Sequence, residues 1–160
     1  MNIKKVYEYA LQREYDGREF FLRNAERTGH AAAAGVFRRL ADEEEKHIRF
    51  IQGLLNALEA GQEASAATLE GEGFFSQRAA TEMLDQTLIE SMIPDVTVLR
   101  TAYLIERDFA EFYQMAADKA TGEAKAALTK LAQWERGHER LFKELHDKVF
   151  QQYMEMPWGG

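Results

Sequence analysis

The sequence predicts an all-α protein: a four-helix bundle built from two antiparallel hairpins that one long crossover joins. The first observation is composition, because helix-forming residues abound and only two prolines occur, Pro94 and Pro157. The second is that apolar residues recur three and four positions apart along four long segments. The third is the order of connections, which are short, long and short. At 160 residues the chain can bury the core of one domain, which we assign to residues 1–153.

The first predicted hairpin covers residues 2–60. Its first helix, over residues 2–27, is closed by Thr28 and Gly29, since glycine accepts the left-handed backbone that commonly ends a helix. Its second helix, over residues 31–60, stops at Gly61. So short a turn between two long helices requires that they run antiparallel.

The second predicted hairpin covers residues 95–153 and follows a crossover over residues 61–94. Moderate helical periodicity predicts a short helix over 76–92 within the crossover, and Pro94 suits the first turn of a helix over 95–120. A fourth helix is predicted over 123–153, after Thr121 and Gly122. Residues 154–160 show no periodicity and are expected to form a flexible tail, in which Trp158 is the residue able to dock.

Two Glu-x-x-His pairs interrupt apolar helical stripes, and a lone glutamate precedes each pair by about thirty positions. The pairs are Glu44 with His47 and Glu135 with His138, and the lone glutamates are Glu14 and Glu106. Residues three apart on a helix share a face, so each pair can ligate one metal or flank two. Two such pairs plus two glutamates are the ligand set of a carboxylate-bridged dinuclear iron or manganese site in a four-helix bundle.

All four glutamates fall on faces that should pack inward. Glu44, for example, lies at helical spacing from Leu40, Ala41 and Ile48. A buried carboxylate without a partner costs several kcal/mol, so such a group protonates or finds a cation. Two divalent ions would cancel the charge of four glutamates, and two neutral imidazoles would add ligands without changing that balance.

The two halves of the chain form an internal repeat. Residues 14–26 read EYDGREFFLRNAE and residues 106–118 read ERDFAEFYQMAAD, which aligns Glu14 with Glu106 without a gap. The motif Leu-Ala-x-x-Glu-x-x-His begins at Leu40 and again at Leu131. Two similar hairpins would therefore each supply half of one metal site.

A single Glu-x-x-His match on a charged helix is usually chance, so the other histidines serve as controls. His30 falls in the predicted loop, and Lys143 stands three residues before His146, so neither histidine belongs to such a pair. The chance interpretation would require both pairs, both lone glutamates and their apolar context to coincide.

Composition excludes several classes of function. The chain has no cysteine, which rules out disulfides, iron–sulfur clusters and a rubredoxin-type iron centre within these 160 residues. A net charge of −7 without a basic helix face argues against nucleic-acid binding. The first residues lack the apolar run of a secretory signal, and no stretch is apolar enough for a membrane span, so we expect no membrane association and a cytoplasmic protein.

On these residues the sequence resembles the rubrerythrin branch of the ferritin-like superfamily, specifically short members without a rubredoxin domain. The resemblance covers about residues 3–149 apart from the crossover. It is carried by the run from Ala10 to Phe21, the two Leu-Ala-x-x-Glu-x-x-His motifs, and Glu106 with Phe112 and Tyr113. It implies a ferritin-like bundle that binds two iron ions per chain, with manganese as the alternative, reacts with O2 or H2O2, and forms a homodimer.

The sequence departs from this family at Phe109. Rubrerythrins that act as peroxidases carry an extra glutamate there, one turn after the third-helix ligand. The remaining set of four glutamates and two histidines is similar to a bacterioferritin-type ferroxidase centre.

We therefore expect a di-iron ferroxidase or peroxidase of oxidative stress or iron homeostasis. Glu44 and Glu135 would bridge two irons, Glu14 and Glu106 would be terminal ligands on opposite irons, and His47 and His138 would each ligate one. Tyr103 and Tyr113 are candidates for lining the site, although tyrosines on helical stripes are more often core. Electrons would come from an external donor such as a rubredoxin or flavoprotein. The alternatives are an iron storage or delivery protein, and a structural bundle without enzymatic activity.

Overall fold

A computed structural model describes residues 1–62 and 85–157, and the regular structure in these two ranges is helical throughout. The helices are α1 (Ile3–Arg27), α2 (Ala31–Glu59), α3 (Gln86–Ser91), α4 (Val96–Lys119) and α5 (Gly122–Glu155). A 3₁₀ turn, Ile93–Asp95, leads directly into α4. The all-α fold class predicted from the sequence is therefore confirmed.

The helix ends in the first hairpin are formed in different ways. At the start, the side chain of Asn2 caps α1 by accepting the backbone N–H of Lys5 at 3.2 Å. At the end of α1, the prediction of a left-handed Gly29 is wrong, because the chain leaves the helix through an extended Thr28 (φ −68°, ψ 133°) and only Gly61 and Gly122 have positive φ among the described residues. Gly61, with φ 69°, does follow α2 as predicted.

The crossover is described only near its end. Asp85 caps α3 by accepting the N–H of Thr87 at 3.0 Å, and α3 coincides with the later part of the helix predicted over 76–92. Residues 76–84 of that prediction lie outside the described ranges. Pro94 lies within the 3₁₀ turn and not in the first turn of α4, so the third long helix begins at Val96.

The long helices pack in two pairs, α1 on α2 and α4 on α5. Two apolar clusters fill the opposite ends of the bundle. One cluster holds Tyr7 and Ala10 of α1, Ile51 and Leu54 of α2, Tyr113 and Ala117 of α4, and Leu128 and Leu131 of α5. The other holds Phe21 and Ala25 of α1, Phe37 and Leu40 of α2, Leu99 and Ala102 of α4, and Phe142 and Leu145 of α5. Thus α2 finishes at one end and α4 starts at the other, which confirms the antiparallel hairpins and the long crossover.

A buried aspartate connects the two hairpins. Asp95 is 3% exposed, and its carboxylate accepts hydrogen bonds from Arg27 at 3.0 Å and from Thr28 at 3.3 Å. These bonds hold the C-terminal end of α1 against the start of α4. A hydrogen bond to a charged group contributes about 1.5–3 kcal/mol, more than an exposed ion pair.

The last helix is longer than predicted. It runs to Glu155, so Met154 and Glu155, which we expected in the flexible tail, are helical. The expectation that Trp158 docks falls on residues 158–160, outside the described part. In residues 1–62 and 85–157, no helix combines the length and apolar character that crossing a bilayer would require.

Candidate metal centre

Six polar side chains meet between the two apolar clusters, one or two from each long helix. Each is at most 1% exposed. They are Glu14 of α1, Glu44 and His47 of α2, Glu106 of α4, and Glu135 and His138 of α5. The structure therefore brings together all six residues that the sequence singled out as metal ligands.

The helical spacing explains how the two Glu-x-x-His pairs converge. Three residues span about 300° of helical rotation, so the glutamate and histidine of each pair point in nearly the same direction from α2 or α5. Side-chain ligand atoms from the four residues lie within 4.8 Å of one another, one atom from each of Glu44, His47, Glu135 and His138. This spread is compatible with metal ions bound between the pairs.

Each paired glutamate faces both histidines, one oxygen to each ring. Glu135 Oε1 lies 2.9 Å from Nδ1 of His47, and its Oε2 lies 3.4 Å from Nδ1 of His138. Glu44 does the same at longer range, with Oε2 3.7 Å from His47 Nδ1 and Oε1 3.8 Å from His138 Nδ1. Both carboxylates thus lie between the two imidazoles.

The lone glutamates each approach one histidine. Glu14 Oε2 lies 3.3 Å from Nδ1 of His47, and Glu106 Oε2 lies 3.6 Å from Nδ1 of His138. The site consequently has two sides, Glu14 with His47 and Glu106 with His138, and two carboxylates common to both.

Burial and mutual repulsion dominate the electrostatics of three of the carboxylates. Burial, followed by the charges of neighbouring glutamates, raises the pKa of Glu44 and of Glu106 well above the ordinary value. Burial and then the charge of Glu14 raise the pKa of Glu135. Three carboxyl groups therefore resist ionisation unless positive charge joins them.

Glu14 and His47 behave as an ion pair. Burial would raise the pKa of Glu14, but hydrogen bonding to Glu44 and the charge of His47 outweigh it and lower that pKa to about 2. Burial would lower the pKa of His47, yet the charges of Glu135 and Glu14 raise it well above its usual value. In the metal-free protein, a protonated His47 thus partly offsets the glutamates.

The donor set fits divalent cations. Both oxygens of Glu106, Oε2 of Glu135 and Oε2 of Glu44 lack a hydrogen-bond partner among the described residues. Such groups in an apolar interior cost about 1–3 kcal/mol each, and more when they are charged. Carboxylate oxygens and imidazole nitrogens are ligands that iron and manganese accept, so bound cations would satisfy these atoms.

The two tyrosines proposed to line the site have different positions. Tyr113 is 1% exposed and its hydroxyl donates a hydrogen bond to Oε1 of Glu14, while burial and the charge of Glu14 raise its pKa. Tyr103 is not brought to the site: its ring meets that of His146 edge-on, with centroids 5.3 Å apart. Of these two tyrosines, only Tyr113 contacts a ligand candidate.

A tryptophan that the sequence motifs did not single out, Trp134, packs against one histidine of the site. The indole of Trp134 stacks on His47, with centroids 5.1 Å apart and planes 10° from parallel, and His47 stacks in turn on His138 at 5.2 Å. Trp134 is 3% exposed. The sequence could have predicted this position, because Trp134 precedes His138 by four residues and residues at i and i+4 share a helix face.

The two control histidines lie away from the site. His30 is exposed at the start of α2, and its side chain makes no capping hydrogen bond. His146 places Nδ1 3.0 Å from Asp147 and stacks on Phe150. The distinction that the Glu-x-x-His spacing draws among the four histidines therefore holds in the fold.

A comparison with protein families agrees with the site and the fold. The family model described as Rubrerythrin matches residues 5–146. Searches of curated proteins and of solved structures gave no significant match. Since the family match spans most of the chain and contains all six buried ligand candidates, this chain belongs to the rubrerythrin family.

Proposed function

We propose that this protein is a di-iron oxidoreductase that oxidises ferrous iron with O2 or H2O2, in peroxide removal or iron handling. The observation that carries the proposal is the buried cluster of four glutamates and two histidines with unsatisfied carboxylate oxygens. A bundle with a purely structural role would be more stable with apolar residues at these positions. Family membership supports iron as the metal.

The two-sided geometry supports a role for each ligand. Glu44 and Glu135 would bridge two ions, because each directs one oxygen toward each histidine. Glu14 with His47 would complete one ion's ligands, and Glu106 with His138 the other's. Two ferrous ions bound there would supply two electrons to an oxidant.

The surrounding residues would hold this arrangement fixed. The Tyr113 hydroxyl orients Glu14, and the Trp134 indole limits rotation of the His47 ring. The apolar clusters above and below keep bulk water from the carboxylates, which strengthens their attraction for cations. Re-reduction would need an external donor such as a rubredoxin or flavoprotein, because the 160 residues contain no cysteine to hold a second redox centre.

An anaerobic titration of metal-free protein with ferrous iron, followed by mixing with O2 or H2O2 in parallel, tests the proposal. We expect two ferrous ions per chain and their oxidation by at least one oxidant. The double variant His47→Ala/His138→Ala should bind neither ion tightly. The matched control, His30→Ala/His146→Ala, removes two histidines outside the site and should behave as the wild type. Equal iron binding by the two double variants would refute the proposed centre.

A further inference from the structure

A cleft of about 420 Å³ opens on the surface between α1 and α4. Because α1 packs mainly on α2 and α4 mainly on α5, these two helices leave space between them. The cleft wall includes Gly17 and Phe20 from α1 and Ile105 and Phe109 from α4. None of the six ligand candidates lines it, so the cleft is distinct from the metal centre.

The inner end of the cleft, at Gly17 and Phe109, lies close to the metal centre. A Cβ atom added to Gly17 would lie 3.3 Å from Cε2 of Phe109 and 3.7 Å from Oε2 of Glu44. That oxygen is a buried atom of the site without a hydrogen-bond partner among the described residues. Gly17 and Phe109 thus line the cleft and also lie close to a proposed bridging carboxylate.

Because Gly17 has no side chain, the Phe109 ring can pack closely against α1 at this position. A contact of 3.3 Å is tighter than ordinary van der Waals contact, so a methyl group at this position would press on the ring. With glycine there, α1 presents no side chain at this position that would hinder movement of the ring. Gly17 and Phe109 also occupy the same position of the internal repeat, three residues after Glu14 and Glu106.

The chemistry of the cleft favours an uncharged molecule over a metal cation. The guanidinium of Arg13, which also lines the cleft, lies 5.0 Å from the centre of the Phe109 ring. The acidic groups at the mouth do not give it a net negative charge. Glu19 pairs with Arg23 at 3.1 Å, and the charge of Asp16, which accepts a hydrogen bond from Gln12 at 3.0 Å, is offset by that of Arg13 in the same lining. A cation would lose hydration beside a positive charge and an apolar ring, whereas O2 or H2O2 would not face that cost.

We propose that this cleft is the route by which a small uncharged oxidant reaches the metal centre, and that the Phe109 ring against Gly17 closes its inner end. The inference rests on the proposed function and adds a path and a gate to it. Because the route is for uncharged molecules, we expect metal uptake not to depend on it. Gly17→Ala should hold the gate closed, and Phe109→Leu should open it.

Two probes of entry test this route without measuring turnover. Nitric oxide, an uncharged molecule of the size of O2, is mixed with the ferrous protein, and the absorbance of the nitrosyl complex gives its binding rate. Cobalt(II) is mixed with the metal-free protein, and its ligand-field absorbance gives the rate of cation uptake. Gly35→Ala is the matched control, because Gly35 is a helical glycine on α2 whose added Cβ would have no neighbour within 4 Å.

We expect Gly17→Ala to slow nitric oxide binding about tenfold, equivalent to about 1.4 kcal/mol in the barrier, and Phe109→Leu to accelerate it. Cobalt uptake in both variants and both rates in Gly35→Ala should stay within about twofold of wild type, a barrier change of about 0.4 kcal/mol. Unchanged nitric oxide rates in Gly17→Ala and Phe109→Leu would overturn the route. Nitric oxide and cobalt rates that change in parallel would overturn its selectivity for uncharged molecules.

The wild type separates failure of the route from failure of the function. If wild-type protein binds neither cobalt nor ferrous iron, the proposed function itself fails. If wild-type protein binds both metals and nitric oxide, but nitric oxide binds the variants as fast as it binds wild type, only the route fails. Should Gly17→Ala not fold, Phe109→Leu alone decides, since a smaller ring-free side chain must then speed nitric oxide binding without changing cobalt uptake.

Discussion

The two hairpins surround their lone glutamates differently, although they repeat the same ligand pattern. Glu14 receives the hydroxyl hydrogen bond of Tyr113 and has a pKa of about 2. Glu106, at the matching repeat position, has no hydrogen-bond partner for either oxygen among the described residues, and burial and the charge of Glu135 raise its pKa well above the usual value. Equivalent sequence positions therefore produce an anionic ligand on one side and a carboxyl that resists ionisation on the other.

Glu44 and His47 make the larger contributions to the lowered pKa of Glu14, and two substitutions within the repeat add to the difference between the hairpins. Tyr113 aligns with Phe21, which has no hydroxyl to offer Glu106 and instead stacks on Phe142 with centroids 5.5 Å apart. Phe109 aligns with Gly17, and its ring fills space that the glycine leaves. The ligand candidates keep the twofold pattern while the residues beside them break it, which makes the two sides of the site chemically inequivalent.

Removal of a shared carboxylate should have the largest effect, because it acts on both sides. We expect Glu44→Ala or Glu135→Ala to weaken binding of both metal ions at least about 100-fold, as breaking a buried charge pair costs about 3–5 kcal/mol. Elemental analysis after dialysis measures this. Glu45→Ala, which removes the neighbouring carboxylate that pairs with Arg18 at the surface, is the control. Full occupancy in either site variant would show that the carboxylate does not bridge.

The pH dependence of the metal-free protein should reveal the three carboxyls with raised pKa values, Glu44, Glu106 and Glu135. The folded state binds more protons at these groups than the unfolded state, whose glutamate pKa is about 4.3, so stability should increase as the pH falls from about 8 to about 5. His47, with a raised pKa, acts in the same direction, since its contribution is lost as the pH rises through the folded-state pKa.

Glu14 opposes this increase in stability at the acidic end of the pH range. Its lowered pKa contributes stability above the unfolded value, and this contribution is lost as the pH falls toward about 2. Urea midpoints measured from about pH 8 to about pH 3 should therefore rise and then decline. In the metal-loaded protein the same carboxyls must release protons to bind, so its midpoint should only fall on acidification. A metal-free midpoint that decreases steadily below neutral pH would contradict a buried carboxylate cluster.

Helical spacing was enough to predict that the six ligands converge, because all six lie on inward faces and the short turns fix which helices are neighbours. It was not enough to choose between the tyrosines. Side chains on a helix lean toward its N-terminus, so Tyr113, which follows Glu106 on α4, leans toward the site, and Tyr103, which precedes Glu106, leans away from it.

The remaining surprises depend on contacts between helices, which a single sequence does not contain. The stacking of Trp134 on His47 joins α5 to α2, and the close approach of Gly17 to Phe109 joins α1 to α4. The extended backbone at Thr28 also depends on a contact with another helix, because the side chains of Arg27 and Thr28 donate hydrogen bonds to Asp95 at the start of α4. These tertiary hydrogen bonds, and not the nearby glycine, therefore determine the backbone conformation at the end of α1.

Removing one hydroxyl should make the two lone glutamates more alike. In the metal-free protein at neutral pH, Tyr113→Phe should lower the free energy of unfolding by about 1.5–3 kcal/mol, the range for a hydrogen bond to a charged group. It should also raise the pKa of Glu14, which carbon-13 NMR of glutamate carboxyls can follow. The control is Tyr7→Phe, in the same apolar cluster, where burial raises the tyrosine pKa to about 12. Equal losses of stability in both variants would deny Tyr113 its role on Glu14.

The smallest expected effect concerns the choice of oxidant, and it tests the other broken repeat position. Within the rubrerythrin branch that the sequence resembles, the members that act as peroxidases place an extra glutamate where this chain has Phe109. The wild-type diferrous protein should therefore react with O2 and H2O2 at comparable rates. Phe109→Glu would give one metal position an additional carboxylate and should shift the preference toward peroxide, although burying another charge should reduce stability. Stopped-flow oxidation measures both rates, and Phe109→Gln, of similar size but neutral, separates the charge from the loss of the ring. A wild-type protein already more than about tenfold faster with peroxide, a difference of about 1.4 kcal/mol in barrier, would mean that the second hairpin does not need that glutamate for peroxide selectivity.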